Sequence, residues 1–219
     1  MLFSNTGFDK RYRGSAAGSR LLSRLSSGVT LPERIELATD RPTIIAANHS
    51  SLFDLIASLI LLDHYGINAR IGVNARFFSN PAAGAFLRGI GTIPFSKADG
   101  GKAEDMAVEA LLSGQAAALM PEGRITRPDD QVNGVGPGRP GVSRIARRAN
   151  ASVLPVGFAF ADETWPPGTP LPKARLGRHR VVATVGSPIH FDTDDHIANA
   201  DRLMSSIGDL VMVGRSGRT

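Results

Sequence analysis

The chain has no cysteine. That excludes disulfides, thiolate metal sites and cysteine nucleophiles together. Aromatic residues make up only 6% of the sequence, with a single tryptophan. No zinc-finger spacing, RNP-like aromatic run or basic helix accompanies them, which argues against nucleic acid as a partner. Apolar runs are short: Leu55 to Leu62 is the longest, well below the ~18 residues of a membrane span, and it reads as a buried helix. The first residues lack the apolar core of a secretory signal, so a cytoplasmic protein is expected. No GxGxxG follows a strand, no GxxxxGK precedes Ser or Thr, and no GxSxG elbow occurs. A dinucleotide fold, a P-loop and a serine hydrolase thus lack their signatures.

What is present describes an ordinary globular protein. At 219 residues, 42% hydrophobic and 21% charged, the chain is long enough for one domain with a real core. A net charge of +5 favours anionic partners such as phospholipid head groups or phosphorylated substrates. Residues 1–30 carry Lys10, Arg11, Arg13, Arg20 and Arg24 against one acid, Asp9, with Leu2, Phe3, Phe8, Leu21, Leu22 and Leu25 among them. This segment fits a basic amphipathic stretch on an anionic membrane surface, and equally a solvated tail.

Strands and helices then alternate. Strands are expected at 34–38, 43–47, 69–73, 91–95, 116–120, 153–160 and 180–185, and helices at 52–62, 81–88, 106–112, up to 149, and 197–213. Such alternation predicts an α/β domain over 31–213, with a mostly parallel mixed sheet of about six or seven strands flanked by helices on both faces. Residues 214–219 read as a frayed tail. The glycines of 134–141 read as a mobile loop.

Four stretches carry chemistry. The apolar run Thr43 to Ala47 ends in Asn48-His49-Ser50-Ser51, with Asp54 five positions after the histidine. With Ser50 as helix cap, His49 and Asp54 occupy the two positions that pack together in a hydrophobic staple. A strand-end imidazole would then donate one N–H to the carboxylate and keep its other nitrogen free, which is a base with its orienter. The same residues also make a plain helix start, Asp54 being a first-turn carboxylate favoured by the dipole. Next, Gly91-x-Ile93-x-Phe95-x-Lys97 ends a strand on a cation. Third, Pro121-Glu122-Gly123-Arg124 follows a strand at the edge where α/β sheets bind ligands, although an acid and a base in a turn also make a surface ion pair. Fourth, Leu154-Pro155-Val156-Gly157 puts proline inside an apolar strand, which suggests an edge, a bulge or a close ligand approach.

In order and spacing, over about residues 33–212, the four stretches resemble the blocks of the glycerolipid acyltransferases. These are the 1-acylglycerol-3-phosphate acyltransferases and their lysophospholipid-acylating relatives. Asn80-Pro81-x2-Gly84-x-Phe86-Leu87-Arg88 and Gly141-x3-Ile145-Ala146 fit the accompanying segments. Two departures bear on the acyl acceptor. The second block usually ends in arginine but here ends in Lys97, and Arg124 follows Gly123 directly where Pro-Glu-Gly-Thr-Arg is common.

The resemblance implies acyl transfer from a thioester, on coenzyme A or acyl carrier protein, to a hydroxyl of a lysophospholipid. It implies catalytic His49 and Asp54, substrate binding by Asn48, Ser50, Gly91, Lys97, Glu122, Gly123 and Arg124, and neither metal nor cofactor beyond the acyl donor. Backbone N–H groups of the first helical turn would serve the oxyanion. Peripheral attachment to the inner face of the cell membrane would follow. Lysophosphatidylethanolamine, a lyso-aminolipid or a glycolipid would be alternative acceptors, and a non-catalytic lipid-surface binding protein is the alternative outside the enzyme class.

Overall fold

Thr43–Ala47, a β-branched and alanine run, forms strand β2 at the middle of a seven-stranded sheet. The structure, a computed structural model, describes residues 28–33, 40–173 and 180–217. The other strands are β1 (Val29–Thr30), β3 (Ala69–Asn74), β4 (Ile93–Phe95), β5 (Ala116–Leu119), β6 (Ser152–Ala159) and β7 (Val181–Val185). Their order across the sheet is β1-β7-β6-β2-β5-β3-β4. All described pairings are parallel except β6 with β7. The helices are α1 (Phe53–His64), α2 (Pro81–Gly89), α3 (Gly100–Leu112), α4 (Gly141–Ala149), a four-residue α5 (Ala161–Thr164) and α6 (His196–Ser216). This is the expected α/β domain with a mostly parallel mixed sheet.

The period of two along β2 divides the core. Ile44 and Ala46 enter a cluster with Ala107 and Leu111 of α3, Ile145 of α4, and Leu203 and Ile207 of α6. Ile45 and Ala47 enter the opposite cluster, with Phe53, Ala57 and Leu61 of α1. Both faces are therefore covered, as parallel strands require. The all-small Ala116-Ala117-Ala118 of β5 is buried on both faces.

Local chemistry sets the helix ends. Asn80 accepts from Ala83 N–H ahead of Pro81 at the first helical position, the preferred place for proline. Asp195 caps α6 by accepting from Ala198 N–H. Asn150 closes α4 in the left-handed region at φ 49°, which asparagine tolerates better than most residues.

Proline and glycine in β6 have separate explanations. The strand is central, lying between β2 and β7, so Pro155 does not mark an edge. Its carbonyl accepts from Gly186 N–H, and the antiparallel contact resumes only at Val153 with Ile189. A residue's N–H and C=O point to the same side of a strand, so the missing N–H faces the irregular stretch 186–189. Gly157 meets the backbone of α6. A Cβ there would lie 2.6 Å from the nitrogen of Val211 and 2.7 Å from the carbonyl carbon of Leu210. The close approach is made by a helix of this chain.

Other expectations need correction. The loop at 134–141 is packed, not mobile. Gly136 N–H donates to Glu122, and a Cβ on Gly138 would lie 2.5 Å from Cγ of Met204. The final helix runs to Ser216, so the expected tail from Gly214 is helical for its first three residues. Val29 and Thr30 belong to the sheet through β7 and not to a separate N-terminal segment. The strand expected at 34–38 and most of the basic segment lie outside the described residues.

Gly157→Ala should destabilise the fold by about 1–3 kcal/mol, the usual cost of overpacking a filled site. The urea unfolding midpoint would show it as a decrease. An unchanged midpoint would mean that α6 does not press on β6 at this position.

Candidate active site

The parallel strands β2, β3, β4 and β5 deliver their C-terminal ends to one edge of the sheet, where α/β folds bind ligands. His49 lies two residues beyond the end of β2 and Glu122 three beyond the end of β5. Asn48 makes the first connection. Its side-chain Nδ2 donates to Phe158 O at 3.0 Å, and its Oδ1 accepts from Phe158 N at 2.7 Å. The amide thus replaces a peptide unit where β2 leaves the ladder with β6. The residue is buried and both its polar atoms are engaged, so its role is to hold the strand end and not to bind substrate.

Helix α1 begins at Phe53, with Leu52 as its cap residue, not at Ser50. Asp54 is accordingly the second helical residue, and the staple spacing does not apply. The imidazole and carboxylate meet for another reason. Asp54 Oδ2 accepts from Ser50 N–H and Ser51 N–H, each at 2.7 Å, which curls the turn back over the helix start. Ser51 Oγ reinforces the curl by accepting from Phe53 N and donating to Trp165 O. His49 Nδ1 then lies 3.1 Å from the same Oδ2.

A carboxylate can only accept, so Nδ1 carries the proton and Nε2 is the basic nitrogen. The imidazole is 21% exposed while Asp54 is fully buried. Burial pushes the Asp54 carboxyl above its ordinary range, and the His49 ring and the Ser51 and Ser50 N–H groups pull it back. These same contacts use both serine N–H groups, so neither is available for an oxyanion. The Ser50 hydroxyl is buried with no partner among the described residues.

The backbone of His49 is clamped from the β5 side. Its N–H donates to Glu122 Oε1 at 2.7 Å, and its carbonyl accepts from Thr126 N–H at 2.8 Å. Glu122 Oε2 takes the Thr126 hydroxyl and the Gly136 N–H. Burial raises the Glu122 carboxyl, opposed by these same donors. With both oxygens engaged inside the protein, Glu122 positions the histidine and is not a ligand for a substrate hydroxyl. Thr126 and Gly136 went unnoticed in the sequence. The available signal was a hydroxyl four residues after the glutamate, within one tight turn.

Gly123 makes that turn possible at φ 64°, the left-handed region that glycine enters without penalty. Arg124 follows it, exposed, between two residues that bond to His49. Lys97 is also exposed and on the same edge, but β4 lies three strand spacings from β2, or about 14 Å. Arg124 therefore lies in the turn that holds His49 through Glu122 and Thr126, whereas the backbone of Lys97 follows a strand three places away. Gly91 is farther still. It precedes β4, at the opposite edge, as a turn glycine with φ 68°, and cannot line the site. No group of three or more metal-ligating side chains is assembled among the described residues.

A buried carboxylate thus orients a partly exposed imidazole through Nδ1, an arrangement that can act as a general base. The chain matches the Acyltransferase family model over residues 28–159 and belongs to that family; it is an acyltransferase. No curated protein sequence matches it. Among solved structures it is similar to the 1-acyl-sn-glycerophosphate (LPA) acyltransferase PlsC from Thermotoga maritima, with a TM-score of 0.66 and 19% identity. That likeness, which is of fold, covers 94% of this chain and 78% of the other.

Glu122→Gln should test the clamp. An amide has one accepting oxygen for three donors, so at least one buried partner is left unsatisfied. That costs about 1–3 kcal/mol of stability. Both the unfolding midpoint and turnover should fall; full activity at wild-type stability would show that the carboxylate does not position His49.

Proposed function

We propose that the enzyme moves a fatty acyl group from an acyl thioester, acyl-CoA or acyl-ACP, to the free hydroxyl of a lysophospholipid, with 1-acylglycerol-3-phosphate as acceptor and phosphatidic acid as product. The observation that carries this is the His49–Asp54 pair, with Asp54 on Nδ1 and Nε2 left without a partner among the described residues. Nε2 takes the proton as the acceptor oxygen attacks the thioester carbonyl. The tetrahedral intermediate expels the thiolate, and the imidazolium returns the proton to it. Asp54 holds the tautomer and stabilises the imidazolium in between. No covalent acyl-enzyme and no cofactor other than the acyl donor enters this scheme.

The separation of Lys97 from His49 favours a second acceptor class, a zwitterionic lysolipid such as lysophosphatidylethanolamine, whose head group needs one cation and not two. Thiol release with a panel of lysolipids separates the two.

A lipid acceptor must come from a membrane. Among the described residues no helix is long and apolar enough to cross one. The stretch from Ala75 to Lys97 holds Arg76, Arg88 and Lys97 and no acid, with Phe77 36% and Phe86 48% exposed. The guanidinium of Arg76 lies 4.8 Å from the Phe77 ring centroid. Cations and aromatics in this arrangement suit an anionic bilayer surface, such as the inner face of a cell membrane.

His49→Ala should lower thiol release by about a hundred- to ten-thousand-fold while leaving the fold intact, the usual loss for a general base. Near-normal turnover by the folded variant would sink the assignment. For membrane attachment, each cation near an anionic surface contributes about 1 kcal/mol. The double variant Arg76→Gln/Arg88→Gln should therefore bind anionic vesicles about thirty-fold more weakly at low salt. Unchanged co-sedimentation would move the attachment to residues 1–27.

A further inference from the structure

A phosphate monoester carries close to two negative charges, and Arg124, just after the Gly123 turn, offers one exposed cation for it. A second lies on the loop from Gly134 to Pro140. We propose that Arg139 is the second guanidinium of the acceptor's phosphate site, facing Arg124 across the Gly123 turn, and that it makes a phosphomonoester lysolipid the preferred acceptor. The inference rests on the acyl-transfer function proposed above and names the head group that function takes.

The geometry supports it in three ways. The first is position. Arg139 N–H donates to Pro121 O at 2.9 Å, which ties the residue to the position just before Glu122, whose carboxylate holds His49 N–H. A Cβ on Gly123 would lie 3.1 Å from Nε of Arg139 and 3.2 Å from both Cδ and Cζ. Three consecutive side-chain atoms at one distance mean that the end of the arginine lies along the bare turn. The missing side chain at residue 123 thus serves both the positive φ and the seat of the guanidinium.

The second is the state of the charge. Arg139 is exposed and makes no side-chain hydrogen bond or ion pair among the described residues. The adjacent carboxylate, Glu122, gives its oxygens to His49 N–H, the Thr126 hydroxyl and Gly136 N–H. The cation therefore keeps its N–H fork for an external anion, and that fork matches phosphate geometry. Other arginines of the loop-helix region are used internally: Arg144 pairs with Glu104, Arg147 with Asp194 and Arg148 with Asp105.

The third is rigidity. A Cβ at Gly136 would lie 2.4 Å from the Thr126 hydroxyl, and one at Gly138 would lie 2.5 Å from Met204. Pro137 and Pro140 restrict φ on either side of Arg139. A cation on a packed loop loses less freedom on binding than one on a flexible tail.

The test uses the full chain, with acyl-CoA and either lysophosphatidic acid or lysophosphatidylethanolamine varied in turn and thiol release as the readout. Arg139→Gln should raise KM for lysophosphatidic acid about ten- to a hundred-fold, as expected for a lost charge-assisted hydrogen bond. Turnover, KM for acyl-CoA and KM for lysophosphatidylethanolamine should stay within about two-fold, and Arg139→Lys should recover part of the loss. An unchanged KM for lysophosphatidic acid overturns the proposal. So does a loss confined to acyl-CoA, which would assign the cation to the donor's phosphates, or a fall in turnover alone, which would make Arg139 a support for Glu122. Calorimetric binding of sn-glycerol 3-phosphate provides an arm that needs no turnover. Weaker binding by Arg139→Gln supports the site even if wild-type protein acylates none of these acceptors, an outcome that would overturn the function and not the site. Equal binding by both proteins overturns the site even where acyl transfer is confirmed.

Discussion

The hydrogen bond from His49 N–H to the buried Glu122 carboxylate joins the end of β2 to the turn after β5, and much of the site depends on it. A strand that has left its ladder has no regular backbone partner, and a histidine there would be free to swing. Glu122 replaces the missing ladder partner on one side of His49, and the Asn48 amide does so one residue earlier on the other. The ring is fixed separately, by Asp54. Backbone and imidazole are thus held by different carboxylates, one on each side of the residue. Both carboxylates are buried, which disfavours their charge, and both are compensated by several donors at once. This is how a buried acceptor remains tolerable.

The cost of burying these groups falls on the residues around them, which explains the otherwise scattered glycines. Gly136 lets the loop approach within reach of Glu122, Gly123 turns the chain so that Thr126 can return to His49, and Gly157 admits the backbone of α6 against the central strand. None of the three has room for a side chain without displacing a neighbour. The loop at 134–141 is therefore part of the support of Glu122 and, through it, of His49.

Cations at the catalytic edge divide by function. Arg124 and Arg139 flank the turn that carries Glu122, whereas Arg76, Arg88 and Lys97 belong to the segment between β3 and α3. The first pair lies beside the turn that holds His49, and the second set shares its segment with the exposed Phe77 and Phe86. Under the proposed function both kinds of attraction are needed, a short-range one that orients a phosphate and a broader one that holds the surface nearby.

Much of the fold was legible in the chain itself. Alternating apolar periods located six of the seven strands and five helices, because burial on both faces leaves a period that neighbouring residues reveal. The His49–Asp54 relation was also legible, since both partners lie within one turn. Its stated reason was wrong, however: the turn is curled by Asp54 accepting from Ser50 and Ser51, not by a staple. Contacts between distant segments were not legible. Asn48 and Glu122 looked like ligands because a polar side chain at a strand end carries the same signal whether its partner is a substrate or a peptide 73 or 110 residues away. The place of Lys97 and Gly91 relative to His49 was not legible either, because order along the chain does not give order across a sheet. The parallel crossovers put β4 three places from β2 and Gly91 at the far edge. Residue type and local spacing determined which chemistry the chain carries. Strand order and long-range hydrogen bonds decided which residues perform it, because the free energy of burying a carboxylate depends on donors that only the folded chain assembles.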